Sequence, residues 1–141
     1  MVYNFTKCTM STKGGKSIVY KRSRNSWKML TKDGQDHEEN ASMDKSQRER
    51  KGKIQFALRF KRDQLYYSPA VAMGELKMEK TPSSPASLGQ SYWFEKENIG
   101  AGEYHALRSV SEPQYYLCSI GKEISTCTKK EKSLHVKVKM I

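Results

Sequence analysis

The segment Ile54-Gln55-Phe56-Ala57-Leu58-Arg59-Phe60 decides the fold class of this 141-residue chain. Its large apolar side chains recur at every second position, which is the period of a β-strand with one buried face. Leu134, Val136, Val138 and Met140 show the same alternation near the end of the chain. No segment places apolar residues at helical spacing over three turns. The sequence therefore predicts an all-β protein.

Further strand candidates have weaker patterns and are separated by turn signals such as Asp33-Gly34. They are 3–10, 16–21, 26–31, 38–44, 64–68, 74–79, 91–95, 103–108, 115–119 and 123–127. About twelve short strands at this regular spacing are typical of a β-barrel or a β-sandwich. They fall into three sets of four, at 3–44, 53–95 and 103–139, which favours a single β-trefoil domain over residues 1–141. An immunoglobulin-like sandwich is the alternative.

The charge is large and unevenly distributed. The chain has 26 Lys and Arg against 15 Asp and Glu, a formal net charge of +11. Residues 1–32 are basic, residues 33–44 are acidic and residues 45–62 are basic again, which predicts polar loops around an apolar core. Residues 45–53 contain no apolar side chain and are predicted to form a long exposed loop.

The basic surface bears on the choice of partner. A sulfated polysaccharide stays open as a ligand, because clustered Lys and Arg attract polyanions. No nucleic-acid partner is expected, because the basic runs lack the interleaved aromatic residues of a single-strand site. No membrane insertion is expected either, since no apolar run approaches the roughly 18 residues of a membrane span.

The sequence contains no motif that calls for an enzyme. Residues 12–17 (Thr-Lys-Gly-Gly-Lys-Ser) end like a phosphate-binding loop, but Met10 stands where that loop requires a glycine. The three histidines lie in separate segments, and neither a zinc-binding helix motif nor a nucleophile elbow is present. We therefore expect no catalytic residue, no cofactor and no metal.

The cysteine count is odd, with Cys8, Cys118 and Cys127 widely spaced. No pair has the spacing of zinc ligands, so reduced and partly buried thiols are expected. A Cys118–Cys127 bridge between neighbouring strands stays open, because a sequence alone does not give the distance between the two Cα atoms.

The segment Leu107-Arg108-Ser109-Val110-Ser111-Glu112-Pro113-Gln114-Tyr115-Tyr116-Leu117-Cys118-Ser119 resembles the signature of the interleukin-1 cytokines. The positions that match the signature are Ser109, Val110, Pro113, Tyr116, Leu117 and Cys118. Leu107 replaces the usual Phe and keeps an apolar side chain. Ser119 replaces Thr and keeps the hydroxyl group.

Shorter segments resemble the same family in the same order along essentially the whole chain. They are Lys7-Cys8-Thr9-Met10, Lys16-Ser17-Ile18-Val19, Gly34-Gln35-Asp36, Phe56-Ala57-Leu58, Lys61, Gln64-Leu65-Tyr66 and Tyr92-Trp93-Phe94-Glu95-Lys96. The resemblance implies a β-trefoil cytokine that is trimmed from a longer cytoplasmic precursor and secreted without a signal peptide. This chain would then be the mature part, starting at or near an added Met1. We expect it to be a monomer.

The resemblance also implies a receptor-binding surface. Family members bind an immunoglobulin-like receptor ectodomain and then recruit an accessory receptor chain. The matching receptor-facing positions are Thr6, Ser11, Gly14, Gly15, Thr31, Asp33, Ile54, Lys96 and Asn98. A core position for Ile54 and a merely solvated one for Lys96 stay open.

Lys132 and Ser133 occupy the region before the last strand that separates agonists from antagonists in this family. Agonists carry an acidic residue there, and the family's antagonist carries a basic one. This chain has Ser133 preceded by Lys132, with Glu131 close by. We expect an agonist, with a receptor antagonist as the alternative.

Overall fold

The computed structural model describes residues 4–23, 26–33, 43–82, 88–99 and 102–140. This part of the chain forms twelve β-strands and two short 3-10 turns. The strands are β1 Thr6–Thr12, β2 Ser17–Ser23, β3 Ser26–Lys32, β4 Met43–Arg50, β5 Lys53–Arg62, β6 Leu65–Ala72, β7 Glu75–Lys80, β8 Trp93–Asn98, β9 His105–Ser109, β10 Tyr116–Ile120, β11 Glu123–Cys127 and β12 Val136–Met140. The 3-10 turns are η1 Gln90–Tyr92 and η2 Lys130–Lys132. No helix in the described ranges has the length and apolar character needed to cross a membrane.

Six of these strands close into a barrel. β1 pairs with β4 and β12, β5 pairs with β4 and β8, and β9 pairs with β8 and β12, all antiparallel. The other six strands form the hairpins β2–β3, β6–β7 and β10–β11. Three successive units of four strands, each contributing two barrel strands and one hairpin, make a β-trefoil. The predicted threefold division is confirmed, and the closed barrel excludes the sandwich alternative.

The core fills the barrel and the space beneath the hairpins. Phe56, Leu58 and Phe60 are buried in it, as their alternation along β5 predicts. Each such side chain stabilises the fold by roughly 1.5–3 kcal/mol when it leaves water. The hairpins add Tyr20, whose ring stacks on Phe60 with 4.8 Å between centroids, and Ile124. A second apolar cluster, formed by Ala57, Leu88 and Trp93, packs separately from this core.

The exposed loop predicted at 45–53 is wrong. Met43–Arg50 forms β4, which pairs with β1 and β5, and the chain turns only at Lys51-Gly52, where both residues have positive φ. Ser46 and Arg48 are buried in spite of their polarity. The Arg48 side chain donates to the side-chain oxygens of Gln55 and Gln90, whereas the buried Ser46 hydroxyl has no hydrogen-bond partner among the described residues. The apolar pattern of the sequence does not reveal such polar contacts. The candidate strand 38–44 overlaps β4 only at its end, and residues 34–42 lie outside the described residues.

The expectation of reduced thiols is wrong for two of the three cysteines. Cys118 and Cys127 form a disulfide across the β10–β11 hairpin, with their Cα atoms 5.9 Å apart. Cys118 lies opposite Ser125 in the ladder, so Cys127 is its diagonal neighbour on the same face. This register, which the spacing in the sequence does not reveal, brings the two sulfur atoms together. Cys8 is free and buried in the core.

Candidate functional site

Some of the residues predicted to face a receptor line two surface regions. The first, which we call the turn cleft, has a volume of about 290 Å³. It is lined by Thr12, Lys13, Gly14, Lys16, Thr31, Ser119, Ser133, Leu134 and His135. The second, which we call the barrel mouth, has a volume of about 160 Å³. It is lined by Lys45, Gln47, Phe56, Lys96, Glu103, His105, Lys137, Val138 and Met140.

A tight turn between β1 and β2 shapes one wall of the turn cleft. The Thr12 N–H donates to the Lys16 carbonyl at 2.7 Å, and the Lys16 N–H donates to the Thr12 hydroxyl at 3.1 Å. Gly15 has a φ of +83°, a conformation in which a side chain would be strained. The Lys13 N–H donates to the His135 carbonyl at 3.0 Å, which holds the loop before β12 against the turn.

The turn cleft brings some predicted residues to the surface and buries others. Gly14, Gly15 and Asp33 are exposed, and the Asp33 carboxylate lies 3.8 Å from the ammonium of Lys16. Thr31 is only 4% exposed and Ser133 only 9%, so a partner reaches either side chain only through the cleft.

The segment before β12 is held by its own turn. The Ser133 hydroxyl donates to the Lys130 carbonyl at 2.5 Å, and the Ser133 N–H donates to the same carbonyl at 3.0 Å. Lys132, in the η2 turn, is exposed. Lys132 therefore presents its charge to solvent beside the turn cleft. The Ser133 hydroxyl, in contrast, is already hydrogen-bonded within the turn.

The remaining predicted residues differ in their relation to the barrel mouth. Lys96 lines it directly, and Asn98 is exposed and pairs with His105, which also lines it. Thr6 lies opposite Lys45 in the ladder and is exposed. Ile54 is half-buried and packs against the core, so it serves the core and also contributes surface.

Ser11 connects the two regions. It is half-buried on β1 and lies opposite Ser17 on β2 and Lys137 on β12. Ser17 follows the turn of the turn cleft, and Lys137 lines the barrel mouth. Ser11 therefore lies between a strand that follows the turn of the turn cleft and a strand that lines the barrel mouth.

The barrel mouth concentrates positive charge. Burial lowers the pKa of Lys45, and the neighbouring charge of Lys96 lowers it further, against an opposing effect of Cys8. The Lys45 ammonium donates to the Gln47 side-chain oxygen at 2.7 Å and lies 4.8 Å from the centroid of the Phe56 ring. Within the described part of the chain, neither Lys45 nor Lys96 has a carboxylate partner.

His105 on β9 and Lys137 on β12 also line the barrel mouth. Burial lowers the pKa of His105, with Lys96 acting in the same direction. The Lys137 ammonium lies 3.3 Å from a carboxylate oxygen of Glu103. Sequence reasoning missed Lys45, His105 and Lys137 as a group, because they lie on three strands that only the closed barrel brings together.

An ionic cluster on β8 and β9 holds the strand that carries Lys96. The Arg108 guanidinium contacts Glu95 at 2.6 Å and Glu97 at 3.1 Å, and Lys130 contacts Glu97 at 3.1 Å. These two carboxylates flank Lys96 in sequence but are engaged by other cations. Among the residues that the structure describes, Lys96 is therefore left without a counter-ion.

The described residues offer no place for a resident metal ion. In the ranges that the structure describes, no three His, Cys, Asp or Glu side chains converge as metal ligands would. The chemistry that the two regions support is recognition through hydrogen bonds and charge.

Comparison with solved structures shows which known proteins share this fold. No protein-family model and no curated protein matches the sequence. The crystal structure of chicken cytokine interleukin 1 beta matches with a TM-score of 0.69 over 98% of both chains, at 14% identity. The chain shares its fold with interleukin-1 beta. A chicken interleukin-1 beta mutant matches equally well over 97% of both chains, at 13% identity.

Proteins of other kinds have the same fold. The structure of SeviL bound to asialo-GM1 saccharide matches with a TM-score of 0.64 at 11% identity, over 96% of this chain and 97% of that one. An endo-β-galactosidase from Clostridium perfringens matches with a TM-score of 0.67 at 14% identity, but only 32% of its length is covered. At such identities a structural match shows the fold alone.

Proposed function

We propose that the chain is a secreted pro-inflammatory cytokine of the interleukin-1 beta type. In this proposal it binds an immunoglobulin-like receptor ectodomain, recruits an accessory chain and has no catalytic activity. The observation that carries the proposal is the end-to-end structural match with chicken interleukin-1 beta, over 98% of both chains. The colinear sequence resemblance to the family supports it independently.

Part of the family-like segment 107–119 is buried and contributes to the fold, while Ser119 at its end is exposed and lines the turn cleft. Leu107, Ser109 and Leu117 are buried. The Ser109 N–H donates to the Tyr115 carbonyl at 2.9 Å, and its hydroxyl accepts the Glu112 N–H at 3.1 Å. The signature therefore supports the β-trefoil, and receptor recognition falls to the turn cleft and the barrel mouth.

The disulfide supports an extracellular location. Cys118 and Cys127 pair in the β10–β11 hairpin, and such bonds persist in oxidising compartments but are rare in the cytosol. We propose that the chain acts outside the cell as a monomer, after release from a cytoplasmic precursor without a signal peptide.

Receptor binding is tested with the purified chain on an immobilised interleukin-1 receptor ectodomain, by surface plasmon resonance. We expect Asp33→Ala in the turn region and Lys96→Ala in the barrel mouth each to weaken binding about 5- to 30-fold, equivalent to about 1–2 kcal/mol. Glu75→Ala, an exposed change on the distant β7 strand, is the matched control and should leave affinity unchanged. Absence of binding by the unmodified chain would overturn the proposal.

Signalling is tested in cells that carry the receptor and a transcriptional reporter. We expect the chain to activate the reporter, and we expect Lys132→Glu to increase activation at unchanged receptor affinity, because it supplies an acidic group before β12. Binding without activation, together with inhibition of a known agonist, would contradict the agonist assignment and establish the antagonist alternative.

A second candidate function is binding of sulfated polysaccharide by a growth-factor-like trefoil. The net charge of +11 and the lysines of the barrel mouth favour it. The discriminating measurement is elution from a heparin column: elution only well above physiological salt favours a polysaccharide-binding protein, and early elution favours a cytokine with a merely basic surface.

A further inference from the structure

We infer that the barrel mouth binds a tetrahedral oxyanion group, and that this group is a sulfate ester of a sulfated polysaccharide. The inference rests on the second candidate function and deepens it by locating the ligand site on particular side chains, and it does not depend on receptor binding. It rests on the arrangement of charged and apolar groups at the open end of the barrel.

The mouth is assembled from five of the six barrel strands. Lys45 comes from β4, Phe56 from β5, Lys96 from β8, His105 from β9, and Lys137 from β12. All five side chains converge on a space of about 160 Å³. A site built on paired strands holds its groups in place better than a site built on loops, so the donors are preorganised for a small ligand.

The charge at the mouth is not balanced within the described residues. Lys45 and Lys96 are half-buried and have no carboxylate partner there. Lys137 is balanced only by Glu103, whose side chain is 77% exposed. Like charges that are partly removed from water repel each other and lose hydration, and a bound anion relieves both costs.

The types of residue indicate which anion fits. The cations in the lining are lysines, whose ammonium groups are point charges with three donors each, and the lining contains no arginine. The bidentate fork of arginine fixes the plane in which a carboxylate or phosphate binds, whereas lysine acts as a point charge that imposes no such plane. Ammonium groups that approach from separate strands suit a compact anion with oxygen atoms in several directions, such as a sulfate ester.

The rim of the mouth favours a sulfated sugar over free sulfate. Val138 and Met140 line the mouth beside the lysines, and Met140 is 49% exposed. An apolar rim gives the ring of a sugar a surface to pack on, whereas an inorganic ion gains nothing from it. Because Lys96 is also a predicted receptor contact, polysaccharide and receptor should compete for this end of the barrel.

The test compares two double variants that remove the same charge. Lys45→Gln with Lys96→Gln alters the mouth, and Lys77→Gln with Lys122→Gln alters the exposed parts of two hairpins. Binding of a heparin hexasaccharide is measured by calorimetry at physiological salt. We expect the mouth variant to bind at least about tenfold more weakly and the hairpin variant to bind within twofold of the unmodified chain. Equal weakening in both variants would show diffuse surface charge and overturn the inference.

Two further arms identify the source of the anion. Sodium sulfate and a glutamate-rich peptide are titrated in the same way. We expect both to bind far more weakly than the hexasaccharide. Equal affinity for sodium sulfate would overturn the polysaccharide as the source, and preference for the peptide would overturn it in favour of an acidic protein partner.

A measurement on the unmodified chain tests the site without relying on correct folding of the mouth variant. The hexasaccharide should shift the imidazole NMR signals of His105, and shifts confined to the hairpins would contradict the inference. No receptor is present in these titrations. Failure here therefore leaves the proposed receptor binding untouched, and failure of receptor binding leaves the polysaccharide site untouched.

Discussion

The guanidinium carbon of Arg48 lies 4.0 Å from the centroid of the Trp93 ring, although Arg48 belongs to a strand without apolar residues beyond its first. Its Nε donates to the Gln55 side-chain oxygen at 2.7 Å, and its Nη2 donates to that of Gln90 at 2.5 Å. Trp93 is fully buried in the second apolar cluster. Arg48 thus fastens β4 to β5, to β8 and to the η1 turn.

We expect Arg48→Ala to lower the free energy of unfolding by about 2–3 kcal/mol, because it removes two charge-assisted hydrogen bonds and a cation–π contact. Arg48→Lys keeps the charge but loses the planar fork, so it should recover only part of the stability. Urea denaturation followed by tryptophan fluorescence measures the free energy of unfolding of both variants. Lys53→Ala, an exposed change at the start of β5, is the control and should stay within about 0.5 kcal/mol. An Arg48→Ala effect as small as the control's would show that the contact does not stabilise the fold.

Gly74 offers a second test, because it joins the β6–β7 turn to the third unit of the trefoil. Its N–H donates to the Glu112 carboxylate at 2.9 Å, and its φ is +75°. A Cβ atom there would lie 2.8 Å from the hydroxyl oxygen of Tyr115. Gly74→Ala should therefore destabilise by the backbone cost of about 1–2 kcal/mol and by an additional steric cost.

Gly52→Ala is the matched control for the steric contribution to the destabilisation by Gly74→Ala. Gly52 has a φ of +77° and nothing within 4 Å of its Cβ position, so only the backbone cost applies. Thermal unfolding should give a lower Tm for Gly74→Ala than for Gly52→Ala. Equal decreases in Tm for the two variants would mean that the Tyr115 side chain moves aside without an energetic cost.

The number of reactive thiols should increase in steps when the protein is first unfolded and then reduced. Burial raises the pKa of the Cys8 thiol to about 12, so this buried group should not react in the folded protein at pH 8. Iodoacetamide labelling followed by mass spectrometry should find no labelled thiol in the native chain and one after unfolding without a reductant. It should find three after unfolding with a reductant. Three labelled thiols without a reductant would contradict the Cys118–Cys127 bridge.

His105 predicts a pH dependence of stability. Burial and the charge of Lys96 lower its pKa, so the folded state holds the neutral imidazole and the unfolded state takes up the proton first. This contribution to stability is complete above the ordinary histidine pKa near 6.5 and is lost as the pH falls below it. Lys96→Gln should raise the pKa of His105, measured by NMR titration of the ring protons with His105→Gln to assign the signal. An unchanged pKa would show that the two groups do not interact.

Much of the fold is predictable from local pattern. The alternation along 54–60 gives β5 and its buried Phe56 and Phe60, because a period of two is a property of neighbouring residues alone. The same reasoning found the strands of all three hairpins and their grouping in fours. It failed at β4, where Arg48 is buried against Gln55 on the next strand and against Trp93 and Gln90, which lie far away in sequence.

The sequence by itself therefore determined the all-β class, the threefold grouping of strands and the excess of positive charge. Only the tertiary structure decided where that charge acts. Closure of the barrel brings Lys45, Lys96 and Lys137 to one mouth, and the register of β10 and β11 joins Cys118 to Cys127. The physical reason is that apolar periodicity is a property of consecutive residues. Which side chains meet at the mouth of a barrel depends instead on the pairing of all its strands.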